Sequence, residues 1–260
     1  MLKLAVELAG LRLPFREALD AAAELGFDGV EIDARGEFNP QAMSGTALRQ
    51  VRKMLADRDL GVAAVAFRTR RGYAAAEDLD RRVAATKAAM DLAYQLGAAV
   101  VVNSLGRIPA EDDRQRRRML LDVLDDLGRF GNRVGAILAA ETGTESGADL
   151  ARLLAQLPEG SLGVDFNPGK LLLGGFSPGE AVSALGPWIV HVHASDARRG
   201  LAPGLAEPAA IGRGDADFPA ILAALDERNY RGYFTLQQTT ADEPHRELAD
   251  AVAQFRRLAP

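Results

Sequence analysis

Apolar and polar positions follow two rhythms along this chain. Short runs dominated by Val, Ile, Leu and Ala are each followed by a longer stretch in which apolar residues return every three or four positions. The short runs are Leu2 to Leu8, Gly29 to Asp33, Gly61 to Phe67, Ala99 to Asn103, Val134 to Glu141, Leu162 to Phe166, Ile189 to His193 and Gly232 to Gln237. Runs of this length with few polar interruptions read as strands buried on both faces. The longer stretches read as amphipathic helices: Phe15 to Leu25, Ala42 to Arg58, Leu79 to Leu96, Arg114 to Phe130, Ala148 to Leu157, Pro178 to Leu185, Phe218 to Arg228 and Leu248 to Leu258. Several end in a glycine that accepts positive φ before the next strand, as in Leu25-Gly26-Phe27-Asp28-Gly29 and Leu96-Gly97-Ala98.

Eight strand–helix pairs in strict alternation predict an α/β fold, a single (β/α)8 TIM barrel over residues 1–260, because closing such a barrel takes about 250 residues. An open doubly wound sheet is the rival. Its nucleotide-binding form needs a glycine fingerprint after the first strand, and Leu8-Ala-Gly-Leu-Arg12 offers none. The stretch Gly200 to Pro208, rich in glycine and proline, predicts a loop without regular structure after strand seven.

Composition narrows the setting. Hydrophobic residues make up 48% of the chain, yet the mean hydropathy is -0.06 and no apolar run approaches the roughly 18 residues of a membrane span. In the opening MLKLAVELAG, Lys3 is the only basic residue and Glu7 interrupts the apolar stretch, so neither secretion nor membrane insertion is expected and the cytoplasm is the default compartment. The absence of cysteine leaves oxygen and imidazole as metal ligands. A net charge of -5 and a pI near 5.4 give no general attraction to nucleic acid. The arginines from Arg114 to Arg118 lie beside Glu111, Asp112 and Asp113 at a predicted helix start, as on a solvated helix face. Assembly into a homo-oligomer is compatible with all of this.

In a barrel, polar side chains at the carboxyl ends of the strands converge on one mouth. Strand five closes on Glu141, strand six on Asp165 and strand seven on His193. Two carboxylates and an imidazole suit Mn, Mg, Co or Zn, and converging anions repel one another without a cation between them. The competing view has each group satisfied separately by a backbone amide or an arginine. His191 shares the face of His193 one layer deeper, where a neutral hydrogen-bonded core histidine is expected. His245 is expected to be exposed. Glu7, Glu31 and Asp33 are candidates for binding hydroxyl groups or serving as a replacement base. Asn103 is a candidate hydroxyl-binding amide and Arg68 a candidate anion clamp.

The order and spacing of several motifs resemble the xylose isomerase-like barrels, the sugar phosphate isomerase/epimerase group that is also similar to family 2 AP endonucleases. The resemblance is carried over nearly the whole chain by Gly26-Phe-Asp-Gly-Val-Glu-Ile32, Glu141, Asp165, Val192-His-Ala-Ser-Asp196, Ile211-Gly-Arg-Gly-Asp-Ala-Asp-Phe218 and Tyr230-Arg-Gly-Tyr233. It implies a divalent metal ion held by Glu141, Asp165, His193 and a last ligand at the end of strand eight. Where relatives commonly place a glutamate there, this chain reads Phe234-Thr-Leu-Gln237-Gln238. Gln237 can coordinate through its carbonyl oxygen, but an amide has no protonation equilibrium near neutral pH and is no general base. The histidine that many relatives carry three residues after the strand-six aspartate is also missing from Asp165-Phe-Asn-Pro168, where Asn167 is a candidate to orient substrate. Arg199, six residues after His193, stands where related epimerases hold substrate oxygens; Arg198 and Arg213 are alternatives, and any of these can instead neutralise Asp196 or Asp215.

The resemblance therefore implies a metal-dependent isomerase or epimerase acting on a sugar, keto-sugar or polyol by enediolate-type proton transfer, with Glu141 as acid/base. With Gln237 in place of a carboxylate, a dehydratase or keto-glycoside-cleaving lyase with one acid/base is the runner-up. A catalytically altered carbohydrate-binding barrel is the non-enzyme reading. Metal-dependent DNA cleavage, known in the related endonuclease IV barrels, is disfavoured by the three histidines and the acidic chain.

Overall fold

A computed structural model of the chain describes residues 2–200, 205–237 and 244–258. Eight parallel strands close a barrel: β1 (Lys3–Glu7), β2 (Gly29–Asp33), β3 (Gly61–Ala66), β4 (Val100–Asn103), β5 (Ile137–Glu141), β6 (Gly163–Phe166), β7 (Ile189–Ala194) and, after a two-stranded excursion, β10 (Tyr233–Leu236). The order around the barrel is β1-β10-β7-β6-β5-β4-β3-β2, closed by the pairing of Lys3 with Tyr233 and of Val6 with Leu236. The helices are α1 (Phe15–Glu24), α2 (Gly45–Ala56), α3 (Leu79–Leu96), α4 (Arg114–Val134), α5 (Gly147–Leu154), α6 (Pro168–Leu173), α7 (Pro178–Leu185), α8 (Phe218–Asp226) and α9 (Pro244–Leu258). No helix among the described residues is long and apolar enough to cross a membrane.

Side-chain caps set several helix starts. Ser44, Asp113, Ser146, Ser177 and Asp217 each accept the backbone N–H three residues on, satisfying one of the orphan donors of a helix N-terminus. The strands then sort their residues by period two. Leu4, Val6, Val30, Ile32, Leu138, Val164, Phe166, Val192, Phe234 and Leu236 face the helices and join one large core with Leu120, Leu124 and Leu127 of α4. Each such buried side chain stabilises the fold by about 1.5–3 kcal/mol. Ala64, Val100, Val102 and Ala139 form a separate small cluster that fills part of the lumen.

Two expectations are corrected. The fifth strand begins at Ile137 rather than Val134, because α4 keeps its helical register through Val134. The segment Gly200 to Pro208 is not wholly without regular structure: Ala206–Ala209 is a strand, β9, paired antiparallel with β8 (Asp196–Arg199), so the backbone polar groups of that strand find partners in a ladder. Residues 201–204 of that segment, and Gln238 after β10, lie outside the described residues.

Candidate functional site

The same alternation that sends Leu and Val outward sends a polar set into the carboxyl end of the lumen. Glu7, Glu31, Glu141, Asp165, His191, His193 and Thr235 take inward positions on their strands, and Asn167 and Gln237 continue the inward parity just beyond β6 and β10. Glu31, Asp165, Asn167, His191 and His193 are buried to 1% exposure or less, and Glu141 is 5% exposed. Burying so many ionisable groups is costly unless each is compensated, and the compensations define the site.

His193 stands between two carboxylates. Its Nδ1 is 2.7 Å from Asp165 Oδ2, and its Nε2 is 2.8 Å from Glu31 Oε2. The second approach is not aligned as a hydrogen bond, so among the described residues Glu31 Oε2 and His193 Nε2 have no hydrogen-bond partner, and neither does Asp165 Oδ1. Burial opposes a charged imidazole, but the fields of Asp165 and Glu31 outweigh it and push the His193 pKa well up. Burial likewise opposes both carboxylates, and His193 more than offsets it, holding Glu31 and Asp165 below their ordinary range. One layer deeper, His191 Nε2 lies 2.9 Å from Thr235 Oγ1, and burial drives its pKa down to about 4, leaving it neutral at pH 7.

Nearer the mouth, five side chains from five strand ends form a closed polar ring. Arg68 Nη1 is 2.9 Å from Glu7 Oε1; Gln237 Nε2 donates to Glu7 Oε2 at 3.2 Å; Asn167 Nδ2 donates to Gln237 Oε1 at 3.1 Å and approaches Glu141 Oε1 at 3.4 Å. Arg68 Nε, 3.8 Å from Glu141 Oε2, closes the circuit. Burial works against the Arg68 cation, but Glu31, Glu7, Glu141 and Asp165 hold it protonated, with its pKa raised. Lys170 Nζ, from the first turn of α6, sits 2.5 Å from Glu141 Oε2. Ser195 donates to Asn167 Oδ1 at 2.5 Å, and the Lys170 backbone N–H donates to the same oxygen at 3.0 Å, so the Asn167 amide is held in one orientation.

Ligand atoms of Glu141, Asp165 and His193 lie within 4.8 Å of one another, as do those of Glu31, His191 and His193. His193 belongs to both groups. A cation on one ring nitrogen leaves the other to donate to the carboxylate on its far side, which fixes the tautomer. Two carboxylates and one imidazole, with the buried Asp165 Oδ1 lacking a hydrogen-bond partner among the described residues, fit a hard or borderline divalent ion.

Other sequence candidates sit elsewhere. Asn103 points out of the barrel, since Val100 and Val102 take the lumen positions of β4. Its Nδ2 donates to Tyr73 Oη at 2.7 Å and its Oδ1 accepts from the Thr69 N–H at 3.0 Å, so it fastens the β3–α3 loop rather than lining the pocket. Arg198 and Arg199 are exposed on β8: Arg198 Nη2 donates to the Arg213 carbonyl oxygen at 2.8 Å, and the Arg199 N–H donates to Asp215 Oδ2 at 2.6 Å. Arg213 is exposed, as are Asp33 and His245. Asp196 is wholly buried and anchors the neighbouring loop by accepting backbone N–H bonds from Ala197, Gly212, Gly214 and Ala216. Among the site residues that sequence reasoning passed over, alongside Ser195 and Thr235, is Lys170. The signal available for it was a cation three residues after Asn167, on the first turn that a strand-end Asn-Pro pair starts.

The architecture defines a (β/α)8 barrel whose buried ionisable side chains gather at the usual functional end. The chain belongs to the xylose isomerase-like TIM barrel family, whose family model matches residues 19–258. It is 24% identical over 258 residues to an L-ribulose 3-epimerase from Methylomonas sp. strain DH-1, covering 94% of this chain and 85% of the relative. It is 25% identical over 256 residues to an inosose dehydratase from Clostridium beijerinckii, covering 86% of this chain and 81% of the relative. Among solved structures, a xylose isomerase-like TIM barrel protein from Mycobacterium smegmatis in complex with magnesium superposes with a TM-score of 0.79 at 19% identity, covering 98% of this chain and 95% of that one.

Proposed function

We propose that this protein is a divalent-metal-dependent isomerase or epimerase acting on a sugar, keto-sugar or polyol. The observation that carries the proposal is the buried convergence of Glu141, Asp165 and His193, with Asp165 Oδ1 left without a hydrogen-bond partner among the described residues. These three residues would hold the ion; Gln237 would join through its carbonyl oxygen on releasing the Asn167 amide. Mn, Mg, Co and Zn all accept such donors, and a magnesium complex of a structural neighbour supports the choice of a hard ion. When bound, the cation supplies Lewis acidity toward adjacent carbonyl and hydroxyl oxygens and stabilises enediolate charge. Glu141 transfers the proton. Asn167 and Gln237 offer amides to substrate hydroxyls. An epimerase among the relatives supports the leading reading. The neutral amide of Gln237 favours elimination with a single acid/base as the second reading, and a dehydratase also stands among the relatives.

Equilibrium dialysis against Mn(II) with elemental analysis tests the ion site. The parent chain should bind about one ion, and replacing Glu141, Asp165 and His193 together by alanine should weaken binding by at least ~100-fold, since each lost ligand also leaves its neighbours unpaired. Equal binding by parent and triple variant would remove the basis of the proposal.

A further inference from the structure

Beneath the ring at the mouth lies a second convergence of ligand atoms. Glu31 of β2 and His191 and His193 of β7 bring one carboxylate oxygen and two imidazole nitrogens within 4.8 Å of one another. Glu31 Oε2 is 2.8 Å from His193 Nε2 and 3.9 Å from His191 Nε2, and all three side chains are 1% exposed or less. Glu31 Oε2 and His193 Nε2 face each other, yet neither has a hydrogen-bond partner among the described residues. A proton on Nε2 serves that carboxylate only along the N–H direction, and the approach is out of line. An ion bonded to three atoms sits off the lines that join them, so it needs no such alignment. Ligands of a tetrahedral ion with bonds of about 2.1 Å stand roughly 3.4 Å apart. The observed 2.8 and 3.9 Å fall on either side of that edge.

The surroundings decide which atoms are free. Arg68 Nη2 lies 3.5 Å from Glu31 Oε1, which leaves Oε2 to the histidines. Asp165 Oδ2 is 2.7 Å from His193 Nδ1, so the ring can donate there and keep its lone pair on Nε2. A carboxylate behind the far ring nitrogen is the usual support of a metal-ligating histidine. His191 Nε2 gives up one neutral partner, the Thr235 hydroxyl at 2.9 Å.

We infer that Glu31, His191 and His193 form a second divalent-ion site, deeper in the lumen than that of Glu141 and Asp165, which takes Zn(II) in preference to Mn(II) or Mg(II). Two imidazoles and one carboxylate suit zinc, whereas the oxygen-rich mouth suits the harder ions. A neutral imidazole has a single ring lone pair, so the two sites draw on opposite nitrogens of His193 and exclude each other. Zinc in the deep site takes Nε2 and leaves Nδ1–H to Asp165; the ion at the mouth takes Nδ1. The deep site is therefore a means by which zinc shuts out the ion described under Proposed function.

X-ray absorption at the zinc edge of the parent chain, loaded with one equivalent of Zn(II), tests this without any substitution. The deep site gives two imidazole scatterers and the mouth gives one. Equilibrium dialysis then separates the sites by variant, with near-UV circular dichroism checking that each variant keeps the parent fold. His191→Gln should weaken Zn(II) binding by at least ~10-fold while Mn(II) affinity stays within about threefold of the parent. Glu141→Ala should do the reverse, weakening Mn(II) by at least ~10-fold and sparing Zn(II). In the parent, one equivalent of Zn(II) should displace the bound Mn(II). A single imidazole around zinc, Zn(II) affinity unchanged in a folded His191→Gln chain, or Mn(II) retained beside bound zinc would each overturn the deep site. A parent that holds zinc on two imidazoles but takes up no Mn(II) in zinc-free buffer would sink the mouth site and leave this one standing.

Discussion

Replacing Asp196 should cost more stability than any exposed charge on this barrel. Its carboxylate is wholly buried, with Oδ1 accepting from Ala197 N–H at 2.8 Å and Ala216 N–H at 3.0 Å, and Oδ2 accepting from Gly212 N–H at 3.0 Å and Gly214 N–H at 2.8 Å. A Cβ on Gly214 would collide with Asp196 Oδ1, so the glycine is what lets the loop backbone reach the carboxylate. A buried donor stripped of its partner costs about 1–3 kcal/mol. Gly212 is exposed and can turn to water, whereas Ala197 is buried and cannot. Summing over donors that differ in this way puts Asp196→Ala at roughly 3–5 kcal/mol. Asp196→Asn keeps one acceptor oxygen but turns an NH2 toward two N–H groups, for about 2–3 kcal/mol. Asp215→Asn, at an exposed position that accepts one N–H from Arg199, is the control and should stay within about 0.5 kcal/mol. Urea unfolding at pH 7 with unchanged slopes gives these differences directly, and amide hydrogen exchange at Gly214 and Ala216 should accelerate in Asp196→Asn. An Asp196→Ala chain within about 1 kcal/mol of the parent would refute the anchoring role.

Two further outcomes complement the Mn(II) dialysis. His191 has a pKa of about 4 in the fold against 6.5 in its ordinary state, so its contribution is fully present above pH 6.5 and is lost as pH falls through about 4. That difference amounts to roughly 3 kcal/mol, and His191→Gln should flatten the fall in urea midpoint between pH 6.5 and 4; an unaltered slope would contradict a buried neutral imidazole. Gly72→Ala would drive a methyl into the Leu105 carbonyl oxygen and the Gly106 backbone, forcing the β3 and β4 loops apart at about 1–3 kcal/mol, read as a lowered melting temperature.

Much of the barrel was legible in sequence because its causes are local. Apolar runs of strand length, helical periodicity between them and capping residues at the helix starts all act within a few residues. Glu141, Asp165 and His193 were legible for the same reason: a polar group closing an apolar strand has the mouth as its natural destination. Asn103 was misplaced by a related effect, since Val100, Val101 and Val102 are all apolar and a strand buried on both faces does not reveal which parity faces the lumen. The alliance of Glu7 with Gln237 had no local trace at all, because 230 residues separate them and only barrel closure between β1 and β10 brings them together. Lys170 needed the direction of α6, and the ring through Arg68 needed the stagger of five strands at once. The amino-acid order determined which groups would be polar at the strand ends; barrel closure and register decided which of them meet, since a side chain's partners across a lumen depend on the relative slide of strands that no short stretch of chain encodes.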